Sequence, residues 1–235
     1  MTTAVVIGAG GGIGAALVAA ILASGRYAHV HALARDPVAS GGVLVGGTLD
    51  VTDEDSIAAA AGAIATPIDL LLVATGILHE GGRMPERALR ELDGAALARI
   101  FAINTIGPAL VLKHFTPRLA KDRRAVAATL SARVGSISDN RTGGWYGYRA
   151  SKAALNMIVK SAAIELARAR PEAICVALHP GTVDTALSKP FQPRVPKEKL
   201  FSPELAARQL LDVVDGLGTA DTGRVFAWDG REIAP

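Results

Sequence analysis

Tyr148 and Lys152 stand four residues apart in "YGYRASKAALN" (146–156), a spacing that places both on one face of a helix. A phenol can act as a proton donor or, once ionised, as an acceptor. Its ordinary pKa of about 10 is high for such work at neutral pH, and a nearby cation lowers it by favouring the phenolate. The pair thus has the residue types for acid–base chemistry. An aromatic and a lysine that merely share a helix face have the same spacing, so this stretch alone leaves both readings open.

A second group with chemical meaning is "GAGGGIG" (8–14). Gly8, Gly12 and Gly14 form G-x-x-x-G-x-G, with Ile13 between the last two. Glycine serves where a backbone must turn tightly, approach a phosphate or pack a helix on a sheet. The helix that follows offers free N–H groups and the positive end of its dipole. A glycine-rich turn is often only a turn, but here it lies between a strand-like and a helix-like stretch, which favours nucleotide binding. Other chemistries find less support. The one cysteine, Cys175, lies in "AICVALHP", which reads as a buried strand and a structural thiol. The five histidines (29, 31, 79, 114, 179) have no metal-ligand spacing.

The elements that must hold these residues alternate in character. Strand-like runs fall at 4–8, 29–35, 47–52, 68–76, 124–131, 173–181 and 223–230. Helix-like runs fall at 12–24, 53–65, about 89–119 with a break near Gly94, 148–169 and about 203–217. Such alternation predicts an α/β fold, a doubly wound parallel sheet with helices on both faces, in one domain spanning 1–235. The strands are continuously apolar, as in a sheet covered on both sides. Ligands of such sheets sit at the carboxyl ends of the strands.

The chain has 235 residues, 50% of them hydrophobic, enough for a sizeable core without disulfide or metal. A net charge of +3, with "KDRR" (121–124) its densest cluster, reads as solvated surface and not as a nucleic-acid site. No apolar run of membrane-spanning length is seen in the sequence, and the first residues lack the charged region of a signal peptide. A soluble cytoplasmic protein is the expectation.

Taken together, Gly8–Gly14 and Tyr148–Lys152 resemble the short-chain dehydrogenase/reductase family, most of all its small C-factor-like and carbonyl-reductase-like members. Further landmarks follow in family order: Asp50-Val51, Gly76, Asn104 in "FAINTIGPA", and "PGTVDT" (180–185) with Pro180, Gly181, Val183 and Thr185. The resemblance implies a Rossmann-type fold and a nicotinamide cofactor bordered by these residues. Tyr148 would be the general acid/base in reduction of an aldehyde or ketone, or oxidation of an alcohol. Lys152 would activate it and hold the nicotinamide ribose, and Asn104 would pass protons along a water chain. It also implies a homodimer or homotetramer paired through the helices near 95–119 and 148–169.

The chain departs from the family in two places. Against the usual S-S-x-x-G, "TLSARVGS" puts Ala132 where the serine that binds the substrate carbonyl stands. Strand alternation points Ser131 to the opposite side from Ala132. Ser131 is nonetheless the first candidate for that role, with Ser136 next and Ser138 nearby. The other departure is "VATG" in place of N-N-A-G, which loses two asparagines at Val73 and Ala74 and bears on stability more than on chemistry.

An acid at the end of the second strand would grip the ribose hydroxyls of NAD. That position is Ala34, followed by Arg35, whose guanidinium suits a 2′-phosphate. NADP(H) is expected and NAD(H) is possible, since Asp36 in a shifted register would reverse the preference. Residues 186–204, with four prolines, Phe191, Phe201 and several cations, occupy the place of a substrate-covering loop or a plain connector. Trp145, Tyr146 and His79 are candidates for the mouth of the site. The alternative to a reductase is a cofactor-binding regulatory or signalling protein with little turnover, which the misplaced serine favours.

Overall fold

The computed structural model describes residues 2–235. Its strands are β1 (Thr3–Ile7), β2 (His29–Ala34), β3 (Leu44–Thr48), β4 (Leu70–Val73), β5 (Ala125–Leu130), β6 (Ala173–His179), β7 (Thr182–Val183), β8 (Leu200–Phe201) and β9 (Val225–Ala227). Its helices are α1 (Gly12–Ser24), α2 (Glu54–Ala63), α3 (Gly94–Phe101), α4 (Gly107–Phe115), α5 (Tyr146–Ala169) and α6 (Pro203–Gly216). Seven strands form one sheet in the order β3-β2-β1-β4-β5-β6-β9, and every pairing is parallel. The strand order reverses between β1 and β4, which opens a crevice at their carboxyl ends. β7 and β8 pair separately.

Alternate residues of each strand feed two cores. Val5, Ile7, Leu71, Val73, Ala127 and Cys175 meet Ile57 of α2, Phe115 of α4 and Leu155 of α5 on one face. Ala4, Val6, Leu72, Ala128 and Val176 meet Leu17 and Ile21 of α1 and Leu210 of α6 on the other. The strands read as unbroken apolar runs because both faces are covered. At about 25 cal/mol per Å² of buried apolar surface, this two-sided burial is the main favourable term in folding.

Three expectations shift. The strand expected at 47–52 lies at 44–48, so Asp50 and Val51 fall in the turn after it. Gly46 and Gly47 look like breakers, yet Gly46 takes its place because the Val38 carbonyl lies where its Cβ would be. The helical text at 89–119 is a short 3₁₀ turn at Leu89–Glu91, α3 from Gly94, a π-helical turn over Ala102–Ile106, and α4. The continuous helical stretch Gly94–Arg118, with mean hydropathy 1.7 over its most apolar window, is long and apolar enough to cross a membrane by length and composition. Here it packs Ile103, Val111, Leu112 and Phe115 into the core of the fold.

Candidate active site

The glycine loop closes by three near-contacts. Gly8 has φ +88°, and a Cβ there would lie 2.8 Å from the Ala74 carbonyl of β4's end. A Cβ on Gly14 would collide with the Gly8 carbonyl, and one on Gly12 would lie 2.8 Å from Thr185 Cγ2. Gly12 and Gly14 therefore act by packing, drawing α1 against the loop and against the Pro180–Thr185 segment. Gly10 and Gly11, which the G-x-x-x-G-x-G spacing does not count, line the crevice together with Gly8. Gly11 caps α1 with no side-chain hydrogen bond, so the first N–H groups of the helix have no side-chain acceptor.

Two adjoining cavities fill the crevice. The one on the β2 side, about 330 Å³, is lined by Arg35, Asp36, Asp50, Val51, Gly76 and Arg99, among others. Ala34 occupies the strand-end position, its Cβ 3.5 Å from where one on Gly10 would lie. Hydrogen bonds from Thr52 N and Oγ1 hold the Asp50 carboxyl below its ordinary range, with Arg35 and Arg99 adding to the effect. Glu80 takes a bidentate grip on Arg99, at 2.9 and 3.0 Å. Arg35 makes no ion pair among the described residues.

The second cavity, about 260 Å³, brings together Tyr148, Lys152, Ser131, Ile13 and the Pro180–Thr185 segment, with Gly76 shared between the two. Tyr148 is 8% exposed and Lys152 3%. Lys152 Nζ donates to the Leu130 carbonyl at 2.8 Å and lies 5.9 Å from the Tyr148 ring centroid. Burial pushes Tyr148 up to about 12 and Lys152 down to about 8. The expectation that the cation lowers the tyrosine is thus not met in this structure: desolvation disfavours the charged form of each, and it dominates.

Asn104 sits fully buried in the π-helical turn behind Gly76. Its Oδ1 accepts from Ile77 N and its Nδ2 donates to Ile77 O, both at 2.8 Å. Nδ2 also reaches Ser151 Oγ at 3.1 Å, while Thr105 Oγ1 donates to Ser151 O at 2.8 Å. These bonds stitch the turn to α5 between Tyr148 and Lys152. A Cβ on Gly76 would be 3.4 Å from Asn104 Oδ1 and 3.5 Å from Lys152 Nζ, so the two polar groups converge behind one glycine. Ser151 and Thr105 carry no sequence signal of their own; only the packing reveals them.

Ala132 continues the extended backbone of β5 and packs with Tyr148, Leu78 and Ile100 in an apolar cluster. Ser131 turns to α5 and donates to Asn156 Oδ1 at 2.7 Å, so as placed its one proton is spent there. Ser136 accepts from Asp139 N and approaches the Pro235 carbonyl, which also accepts from Ser138; neither lines the cavity.

The mouth is aromatic. Trp145 has φ +51°, a left-handed conformation that costs a bulky residue on the order of 1–3 kcal/mol. That conformation sets its ring 4.9 Å from Phe191 and 6.4 Å from Tyr148. Leu187, Phe191 and Val195 of the proline-rich segment complete the wall. His79 lies behind Phe191, with Nε2 3.1 Å from Leu187 O, and Tyr146 stays outside the cavity. Phe201 is buried against Trp228 and Val183, so it anchors the segment and does not cover a substrate.

A crevice at the sheet's switch point, a glycine loop before α1 and a buried Tyr-x-x-x-Lys pair define a dinucleotide-dependent dehydrogenase or reductase. A family model described as "short chain dehydrogenase" matches residues 2–195, and the chain belongs to this short-chain dehydrogenase/reductase family. It is 40% identical to the C-signal protein of Myxococcus xanthus over 147 residues, 62% of this chain and 82% of that one. It is 33% identical over 195 residues to the 1-hydroxy-2-glutathionyl-2-methyl-3-butene dehydrogenase of Rhodococcus sp. (strain AD45), 82% of this chain and 81% of that one. The NADPH-bound carbonyl reductase from chicken fatty liver superposes with a TM-score of 0.85 at 26% identity, covering 100% of this chain and 94% of that one.

Proposed function

We propose that the protein is an NADP(H)-dependent carbonyl reductase whose proton donor is Tyr148. The observation that carries this reading is the convergence of Tyr148, Lys152, Gly76 and the Pro180–Thr185 segment on one cavity that adjoins the glycine-loop crevice. The residues suit a dinucleotide. Gly10 and Gly11 present bare backbone to the crevice for a pyrophosphate, α1 presents N–H groups without a side-chain cap, and Thr75 Oγ1 is buried beside Gly76 with no partner among the described residues. Arg35, with Ala34 in the acid position, fits a 2′-phosphate. When bound, the reduced nicotinamide would supply the hydride.

The chain's own part is acid–base and steric. Tyr148, protonated across the neutral range, donates its proton to the carbonyl oxygen as charge builds there. Lys152 supplies positive charge beside it, held in place by Leu130 O, and Asn104 fixes the turn behind both. Trp145, Leu187 and Phe191 exclude water and favour apolar substrates, with the cations of 186–204 lying outside the wall. A second reading, a cofactor-binding regulator with little turnover, is favoured by one observation: Ala132 presents no hydroxyl beside Tyr148.

NADPH consumption against aldehydes, ketones and quinones, measured beside Tyr148→Phe, separates them. The reductase reading expects turnover that falls by roughly 100-fold or more in the variant. Turnover that survives Tyr148→Phe would refute the assignment, and NADPH binding without turnover in the wild type would favour the regulator.

A further inference from the structure

We propose that His179 is a substrate-positioning residue of this site, donating a hydrogen bond to a second oxygen next to the reacting carbonyl. The preferred substrates would then be apolar compounds with two adjacent acceptor oxygens, such as vicinal diketones and α-keto esters. The proposal rests on the reductase reading and adds its substrate class.

The argument begins with register. Leu130 of β5 pairs with Leu178 of β6, and Ser131 N continues the ladder to Leu178 O at 2.7 Å. Ala125 and Ala127 on β5, with Ala173, Cys175 and Ala177 on β6, face the α5 side. By alternation Ser131 and His179 leave that same face on adjacent strands, about 4.8 Å apart. His179 lines the cavity that holds Tyr148, yet its Nδ1 is sealed from solvent and has no hydrogen-bond partner among the described residues. An unpaired buried nitrogen is costly, and such atoms are rare in folded proteins.

With Nδ1 sealed and unpaired, the neutral imidazole carries its one proton on Nε2, the nitrogen left to the cavity. Burial and the nearby Arg133 charge hold the ring neutral, pushed down to about 4 against the opposing pull of Asp229. A neutral ring keeps one donor throughout the neutral range.

The rest of the wall near Tyr148 is apolar: Leu78, Ala132, Val134, Leu187 and Phe191. A single carbonyl oxygen is served by Tyr148. A second oxygen would be desolvated there without compensation unless His179 meets it. A site built to pair a substrate polar group discriminates strongly against analogues that lack it.

The test compares 1-phenyl-1,2-propanedione with propiophenone, which share ring and chain but differ in the second carbonyl. His179→Leu is expected to lose kcat/KM on the diketone roughly tenfold or more beyond any loss on the ketone. His179→Gln, whose amide N–H replaces Nε2–H, should recover most of the difference. NADPH affinity, read by fluorescence titration, should stay within about twofold of wild type, as it would not if the ring merely supported the cofactor segment. Equal losses on both substrates, or His179→Gln behaving as His179→Leu, would overturn the role of His179. Should His179→Leu fail to fold, His179→Gln decides it: keeping most of the wild-type preference for the diketone supports the role, and losing that preference overturns it. A wild type that binds NADPH and reduces neither compound removes the reductase reading and this one with it.

Discussion

Replacing Lys152 by methionine should make the protein more stable at pH 7 and less stable at pH 10.5. Burial lowers the folded-state value of Lys152 from 10.5 to about 8. At about 1.4 kcal/mol per tenfold change in proton affinity, carrying that ammonium inside the fold costs about 3 kcal/mol at any pH below 8. Between pH 8 and 10.5 the folded protein has shed the proton while the unfolded chain keeps it. Wild-type stability therefore rises through this window by up to about 3 kcal/mol. The methionine variant has no such proton, but it leaves the Leu130 carbonyl without its 2.8 Å donor, a loss of about 1–3 kcal/mol. At pH 7 the variant should match the wild type or exceed it by up to about 2 kcal/mol, and at pH 10.5 it should fall below by about 1–3 kcal/mol. Tyr148, raised by burial, keeps its proton in the folded state across this window; its unfolded-state titration near pH 10 is common to both proteins and largely cancels in the difference. Urea unfolding at pH 7, 8, 9 and 10.5 measures that difference directly. A value that stays constant with pH would refute the premise that the lysine charge is held in a desolvated place. Reductase activity should fall in the variant even where stability improves, since the cation beside Tyr148 is gone.

Three further outcomes follow from the same geometry. Arg35→Ala should weaken NADPH roughly tenfold or more relative to NADH, because a charged hydrogen bond to a 2′-phosphate contributes about 1.5–3 kcal/mol; equal effects on both cofactors in equilibrium titration would remove Arg35 from that role. Ala132→Ser places a hydroxyl against Tyr148 in a cluster that is otherwise apolar, and kcat for a simple ketone should rise; a fall would mean that the packing against Tyr148 matters more than a carbonyl ligand. Met157 and Ile164, seven apart on α5, are 66% and 50% exposed, and Ile106 beside α4 is 52% exposed, so the proposed oligomer should pair there. Met157→Glu with Ile164→Glu should shift the species seen in sedimentation to monomer, and an unchanged size would place the interface elsewhere.

Much of this molecule is determined by its sequence through local physics. The apolar runs within 4–8 and 68–76 demand burial on both faces, and that demand implies a parallel sheet with helices above and below. A glycine cluster between strand and helix fixes where a phosphate can approach, because Gly8 alone among residue types tolerates φ +88° against the Ala74 carbonyl without strain. The four-residue spacing of Tyr148 and Lys152 puts them on one face of α5 whatever surrounds them.

Other features were decided only by tertiary structure. The edge strand β3 runs through Gly46 and Gly47 because the backbone of Val38 fills the space a side chain on Gly46 would need and the Leu33 side chain lies where one on Gly47 would begin. The π-helical turn exists to let Asn104 clasp Ile77 and Ser151, partners 27 and 47 residues away. Phe201, read from sequence as a cover for substrate, is drawn inward by Trp228. The charge state of the Tyr148–Lys152 pair shows the difference most clearly. Spacing predicts a cation lowering a phenol, whereas burial raises the phenol and lowers the amine. The reason is general: periodicity and residue type act over a few neighbours, but desolvation depends on every element packed around a group. That is also why an alanine faces Tyr148 while the serine beside it faces Asn156. Strand alternation makes the two faces different, and only the placement of α5 and β6 says what each face meets.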